Sequence, residues 1–236
     1  MTQAPRPLIV VDGLAKTFVL HNGGGAVIPV FERLNMEVLP GECVVLAGDS
    51  GVGKSTLMRS IYGNYAPSSG SVRVLQDGEY IDITKASPYA ILDVRRRTLG
   101  YVSQFLRVIP RVPTLRLVME PLLDNGVLAE EAEARARTLL GELRLPERLW
   151  ALPPATFSGG EQQRVNIARS FIRQYPVMLL DEPTASLDAE NRAIVVELIR
   201  SALSAGTAMI GIFHDADVRD AIASRLFPVL DFRAAA

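Results

Sequence analysis

Cysteine is nearly absent from this chain. Cys43 is the only one, so no intramolecular disulfide can form. It stands in the apolar run Cys43-Val44-Val45-Leu46 and reads as a small buried hydrophobe, not a reactive thiol. Long apolar runs are also missing. Each run is strand-length, well short of the ~20 residues a membrane helix needs, so direct membrane insertion is not expected and any membrane contact would go through a partner. No excess of charge of one sign exists: 25 basic and 26 acidic residues leave a net charge of −1. That excludes a broad electrostatic attraction to nucleic acid or anionic lipid, and Arg95-Arg96-Arg97 reads as a solvated helix face. The opening Met1-Thr2-Gln3-Ala4-Pro5-Arg6-Pro7 is polar and broken by prolines, unlike a secretory signal, which makes the cytoplasm the expected compartment. No internal repeat is evident.

What is present is an ordinary globular composition, 48% apolar and 22% charged over 236 residues, enough for one large α/β domain without disulfides or structural metals. The first forty residues read as β-rich, with short runs Leu8–Val11, Thr17–Leu20 and Val27–Phe31. His21-Asn22-Gly23-Gly24-Gly25 is a loop by composition and reads as a hairpin tip. Pro40-Gly41-Glu42 turns into a buried strand over Cys43–Ala47, and a helix opens at Lys54. Glu130–Leu143 has the Ala, Glu, Arg and Leu content of a helix, and Gly160–Gln174 reads as another. Val177–Leu180 fits a strand buried on both faces, followed by a helix over Ala189–Leu203 and a strand over Ala208–Phe213. This alternation predicts an α/β fold: a phosphate-loop NTPase (RecA-like) core with a mostly parallel sheet, an N-terminal antiparallel β subdomain and an inserted helical subdomain. The core is expected over 1–87 and 171–236, the insertion over about 88–170.

Three segments carry chemistry. Gly48-Asp49-Ser50-Gly51-Val52-Gly53-Lys54-Ser55, continued by Thr56, matches the phosphate-binding (Walker A) loop between a strand and a helix. Its backbone N–H groups would converge on phosphate oxygens at a helix N-terminus, Lys54 would reach the β- and γ-phosphates, and Ser55 would ligate Mg²⁺. Asp181, ending the run Val177-Met178-Leu179-Leu180, sits at the carboxyl end of a strand, where open α/β sheets bind ligands. It would hold the metal through its water shell, and Glu182 would orient or deprotonate the attacking water.

The third segment, Phe157-Ser158-Gly159-Gly160-Glu161-Gln162-Gln163-Arg164, resembles the signature of ATP-binding-cassette proteins. Ser158 and Gly160 offer a hydroxyl and backbone N–H groups at a helix start, a second anion site. The resemblance implies that two chains pair head to tail, as a homodimer or with another cassette, each signature capping the γ-phosphate held by the other chain's loop. It also implies that Gln104, in Tyr101-Val102-Ser103-Gln104, touches Mg²⁺, that Asp188 in Ser186-Leu187-Asp188 contacts the opposite subunit, and that His214 grips the γ-phosphate. Phe18 is the candidate to stack on adenine, with Phe31 competing. The implied activity is Mg-dependent ATP hydrolysis.

A finer resemblance attaches to Val102 to Arg111, Met119-Glu120-Pro121-Leu122-Leu123-Asp124, Leu145-Pro146-Glu147-Arg148-Leu149-Trp150 and Gly211-Ile212-Phe213-His214-Asp215. These are similar to the L subunit of the bacterial phosphonate carbon–phosphorus lyase system. That implies soluble lyase partners, the G, H and I subunits with a second cassette subunit, K. The joint reaction would have a phosphonate displace adenine from ATP, giving a ribose 1-phosphonate 5-triphosphate. Two alternatives stand beside it: the ATPase of a membrane transporter, and a nucleotide-gated scaffold that needs no hydrolysis.

Overall fold

A computed structural model describes residues 5–20, 24–106 and 110–233. In chain order the strands and helices are β1 (Ile9–Leu20), β2 (Ala26–Val38), β3 (Cys43–Ala47), α1 (Lys54–Ile61), β4 (Ser69–Gln76), β5 (Glu79–Asp82), α2 (Pro88–Arg97), β6 (Leu99–Val102), α3 (Thr114–Leu123), α4 (Ala129–Glu142), α5 (Gly159–Phe171), β7 (Val177–Asp181), α6 (Ala189–Ser204), β8 (Ala208–Ile212), α7 (Ala216–Ile222) and β9 (Arg225–Pro228). They build an antiparallel sheet ordered β2-β1-β4-β5 and a parallel sheet ordered β6-β7-β8-β3-β9.

The parallel sheet is covered on both sides, and its strands divide their side chains strictly by face. Cys43 and Val45 of β3, Met178 and Leu180 of β7, and Met209 of β8 enter one core, shared with α3, α4, α5 and α6. Val44 and Leu46, Val177 and Leu179, and Ala208 and Ile210 enter the other, closed by the antiparallel sheet and α1. Period-two geometry makes the alternation inevitable, and apolar cover on both faces explains why these strands read as unbroken apolar runs. Cys43 is fully buried, and burial with the neighbouring Glu42 charge pushes its thiol up to about 12.

Three expectations need correction. The runs Leu8–Val11 and Thr17–Leu20 are not separate strands. They form the one long β1, which carries bulges between Val11 and Thr17, and Val27–Phe31 is the first part of β2. An interruption in the apolar pattern therefore marks shifted register, not a chain reversal. Secondly, β6 lies inside the segment expected to be helical insertion, yet it pairs with β7 in the parallel sheet. The helical block proper is carried by α3 and α4, with α5 packed beneath both. Thirdly, the arginine run at the end of α2 is not simply solvated. Arg97 reaches Asp77 and Asp93, while Arg95 donates to the Tyr62 carbonyl and to Asn64. Of the expected hairpin tip, His21, Asn22 and Gly23 lie outside the described residues.

Candidate functional site

Parallel strands end on one edge of their sheet, and the predicted residues collect there. Gly48 follows β3, Asp181 closes β7, His214 stands two residues past β8, and Gln104 stands two past β6. The loop before α1 turns through left-handed backbone. At Gly53, the residue capping α1, φ is 106°, and an added Cβ would stand 2.6 Å from Val30 Cγ1. Only glycine suits both the dihedral and the space. Lys54 then begins the helix and folds back over its own loop, Nζ donating to the carbonyls of Gly48 at 2.6 Å and Asp49 at 2.9 Å. Asp49, Ser50, Gly51 and Ser55 are exposed, Thr56 is half-buried, and Val52 is tucked beneath the loop into the core.

Glu182 is the hub of the carboxylate edge. It is a non-glycine residue at φ 52°, a left-handed conformation that costs of order 1–3 kcal/mol and tends to mark functional positions. Its backbone N–H is held by the Ile212 carbonyl at 3.0 Å. One carboxylate oxygen, Oε1, lies 2.7 Å from His214 Nε2, and the other accepts from Gln104 Nε2 at 3.1 Å. Three residues from different strand ends thus form one hydrogen-bonded row.

Asp181 is buried behind this row. Burial is the largest influence on its carboxyl and raises its pKa; Glu182 adds to the rise, while the Tyr101 hydrogen bond and Arg59 oppose it. Tyr101 Oη donates to Asp181 Oδ2 at 3.0 Å. The other oxygen, Oδ1, is buried with no partner among the described residues. An orphaned carboxylate oxygen in such a place suits a cation's water shell, and so fits the Mg²⁺ role assigned to Asp181.

Ser158 and Asp188 sit apart from this row, at helix N-termini. Ser158 caps α5 in a capping box. Its backbone N–H and hydroxyl both donate to Glu161 Oε2, at 2.8 and 2.7 Å, and this holds the Glu161 carboxyl below the usual range. Gly160 packs against the loop before α6, where an added Cβ would lie 2.9 Å from the Ser186 carbonyl oxygen. Asp188 caps α6, accepting from the Asn191 N–H at 2.8 Å, and that bond lowers its pKa. Phe18 is half-buried, edge-on to Tyr65 with ring centroids 5.4 Å apart, and Lys16 Nζ lies 4.6 Å from its ring centroid. Phe31 is fully buried among β-sheet and α1 side chains, which removes it as a candidate for stacking on a ligand.

A model of the ABC transporter family matches residues 31–185, more than half of the chain. The chain belongs to the ATP-binding-cassette family. The cassette is 39% identical over 228 residues to the macrolide export ATP-binding/permease protein MacB of Brucella melitensis, an alignment covering 97% of this chain and 34% of that protein. It is 38% identical over 196 residues to the lipoprotein-releasing system ATP-binding protein LolD of Geobacter metallireducens, covering 83% and 85%. The chain thus spans about a third of the length of its MacB relative and most of its LolD relative. In fold it is similar to the dimeric ATP-binding cassette MJ0796, solved in a post-hydrolysis state with ADP and Pi, with a TM-score of 0.83, 28% identity and 93% coverage of both chains. The cassette is accordingly an ATPase with the RecA-like core expected of it.

These relatives do not support the phosphonate lyase resemblance, and the residues that suggested it have structural work. Trp150 Nε1 donates to the Leu145 carbonyl at 3.0 Å and its ring lies beneath Arg137. Met119 and Leu122 are buried faces of α3, and Glu120 pairs with Arg169 of α5 at 2.5 Å. Gly211 leaves room for the Phe213 ring, which an added Cβ would strike. These are packing solutions for a helical block on a sheet. Arg107, Val108 and Ile109 of the remaining segment lie outside the described residues.

Proposed function

We propose that the chain is the ATPase cassette of a membrane transporter and cleaves MgATP at a site completed by a second cassette. The observation that carries the hydrolytic part is the Gln104–Glu182–His214 row, assembled on the same sheet edge as the Gly48–Ser55 loop. The loop N–H groups and Lys54 bind the β- and γ-phosphates, Lys54 exchanging its two loop carbonyls for phosphate oxygens. Ser55, Gln104 and Asp181 would hold Mg²⁺, which would supply charge neutralisation on the phosphate oxygens. Glu182 accepts a proton from the attacking water, and His214 and Gln104 fix the direction of its carboxylate. Phe18 stacks on the adenine. A partner's Ser158–Gly160 turn caps the γ-phosphate, and Asp188 belongs to the segment that meets the opposite chain.

The transport reading rests on the relatives. A protein named for macrolide export and one named for lipoprotein release align with nearly all or most of the cassette. Among the described residues no helix is long and apolar enough to cross a membrane; in the transport reading the movement coupled to hydrolysis acts on a membrane-embedded permease. Affinity purification from detergent-solubilised membranes is expected to recover a permease with the cassette. Recovery of soluble phosphonate lyase subunits and no permease would overturn the reading.

A further inference from the structure

We propose that Tyr101 is the positioning residue for Asp181: its phenol locks one carboxylate oxygen so that the other is presented to the metal's water shell. The inference deepens the ATPase reading and rests on it. Tyr101 stands in β6, paired with Leu179 in the register that also aligns Val102 with Leu180, so its backbone is fixed beside the end of β7. Ser170 of α5 donates to its carbonyl at 3.2 Å. Its ring packs on Tyr62 with centroids 4.8 Å apart, and the Arg95 guanidinium covers the far partner, 4.3 Å from the Tyr62 ring centroid. Tyr62 closes α1, the helix that the phosphate loop opens. The ring is held by these contacts, and its Oη donates to Asp181 Oδ2 at 3.0 Å, with the Arg59 guanidinium also beside the phenol.

The asymmetry of Asp181 gives this contact its meaning. One oxygen is paired and the other is buried without a partner among the described residues. A carboxylate held at one oxygen cannot rotate freely about its last bond, and its free lone pairs keep one heading. Outer-shell donors of this kind set the orientation and basicity of a metal-binding group. Tyr101 also lines a cavity of about 520 Å³ together with Arg59, Arg169, Gln104 and Asp181.

Tyr101→Phe removes the hydroxyl and keeps the ring against Tyr62. The test is a Mg²⁺ titration of binding of a fluorescent ATP analogue, with the melting temperature followed alongside. In the variant, analogue affinity in EDTA and the melting temperature stay near wild type, while the Mg²⁺ midpoint rises about tenfold, the lower end of the range for outer-shell partners. An unchanged Mg²⁺ midpoint would overturn the proposal. So would an equal loss of affinity in EDTA, because the tyrosine would then act on the phosphate loop through packing. A wild-type protein whose analogue binding ignores Mg²⁺ would instead sink the underlying ATPase reading. Should the variant melt early, Mn²⁺ binding to the folded Tyr101→Phe protein at low temperature, followed by electron paramagnetic resonance, gives the same comparison.

Discussion

At the scale of single residues, the site depends on groups whose backbone could not be otherwise. Gly53 combines a φ of 106° with a Cβ position 2.6 Å from Val30, so Gly53→Ala strains the dihedral and displaces a core side chain. A loss of about 1–3 kcal/mol in urea unfolding is expected. A variant as stable as wild type would show that the loop relaxes freely. Lys54→Ala removes a compact charge from the phosphate site, and analogue affinity should fall about 10–100-fold, the worth of a charge-assisted hydrogen bond. Unaltered affinity would remove Lys54 from the site. Cys43 makes a pH prediction. Its folded pKa, about 12, lies above its ordinary 9.0, so its contribution to stability is complete below pH 9 and is lost as pH climbs toward 12. The melting temperature of Cys43→Ala should therefore fall less steeply than wild type between pH 9 and 11, and equal slopes would contradict the assignment.

Elements show where the sequence was readable. Walker-type spacing at Gly48–Ser55, the apolar run before Asp181 and the signature at Phe157–Arg164 each lie within a few neighbouring residues, and local chemistry alone specifies them. The strand β6 was hidden because only four residues of it exist, between helices α2 and α3, and its pairing partner is some eighty positions away. Tyr101 was hidden for the same reason: nothing near it in sequence hints at Asp181. Phe18 and Phe31 could not be ranked from the chain, since both fall in β-rich segments, and burial alone separates them. The lyase resemblance failed because packing residues such as Trp150 look distinctive in sequence whatever partner the cassette serves. Ser158 illustrates a double duty that is testable. As N-cap of α5 it should cost about 1 kcal/mol on replacement by alanine. As half of a γ-phosphate cap it should also weaken the ATP-dependent association of two chains. Loss of stability without loss of association would confine it to the first role.

On the scale of the molecule, one chain holds the Gln104–Glu182–His214 row and the Gly48–Ser55 loop on one sheet edge, with Ser158 at the N-terminus of α5. The Ser158 N–H and hydroxyl are satisfied internally in the single chain, so capping a γ-phosphate as proposed would exchange their bonds to Glu161 for phosphate contacts. That predicts association only when ATP is present and uncleaved. The most direct test uses Glu182→Gln, which keeps the hydrogen-bonding shape toward His214 and Gln104 and removes the base. With MgATP this variant should sediment as a stable dimer and release phosphate at least ~100-fold more slowly than wild type, with the dimer absent when Lys54→Ala is added. A monomer in saturating MgATP, or phosphate release at the wild-type rate, would contradict the account of a shared ATPase site.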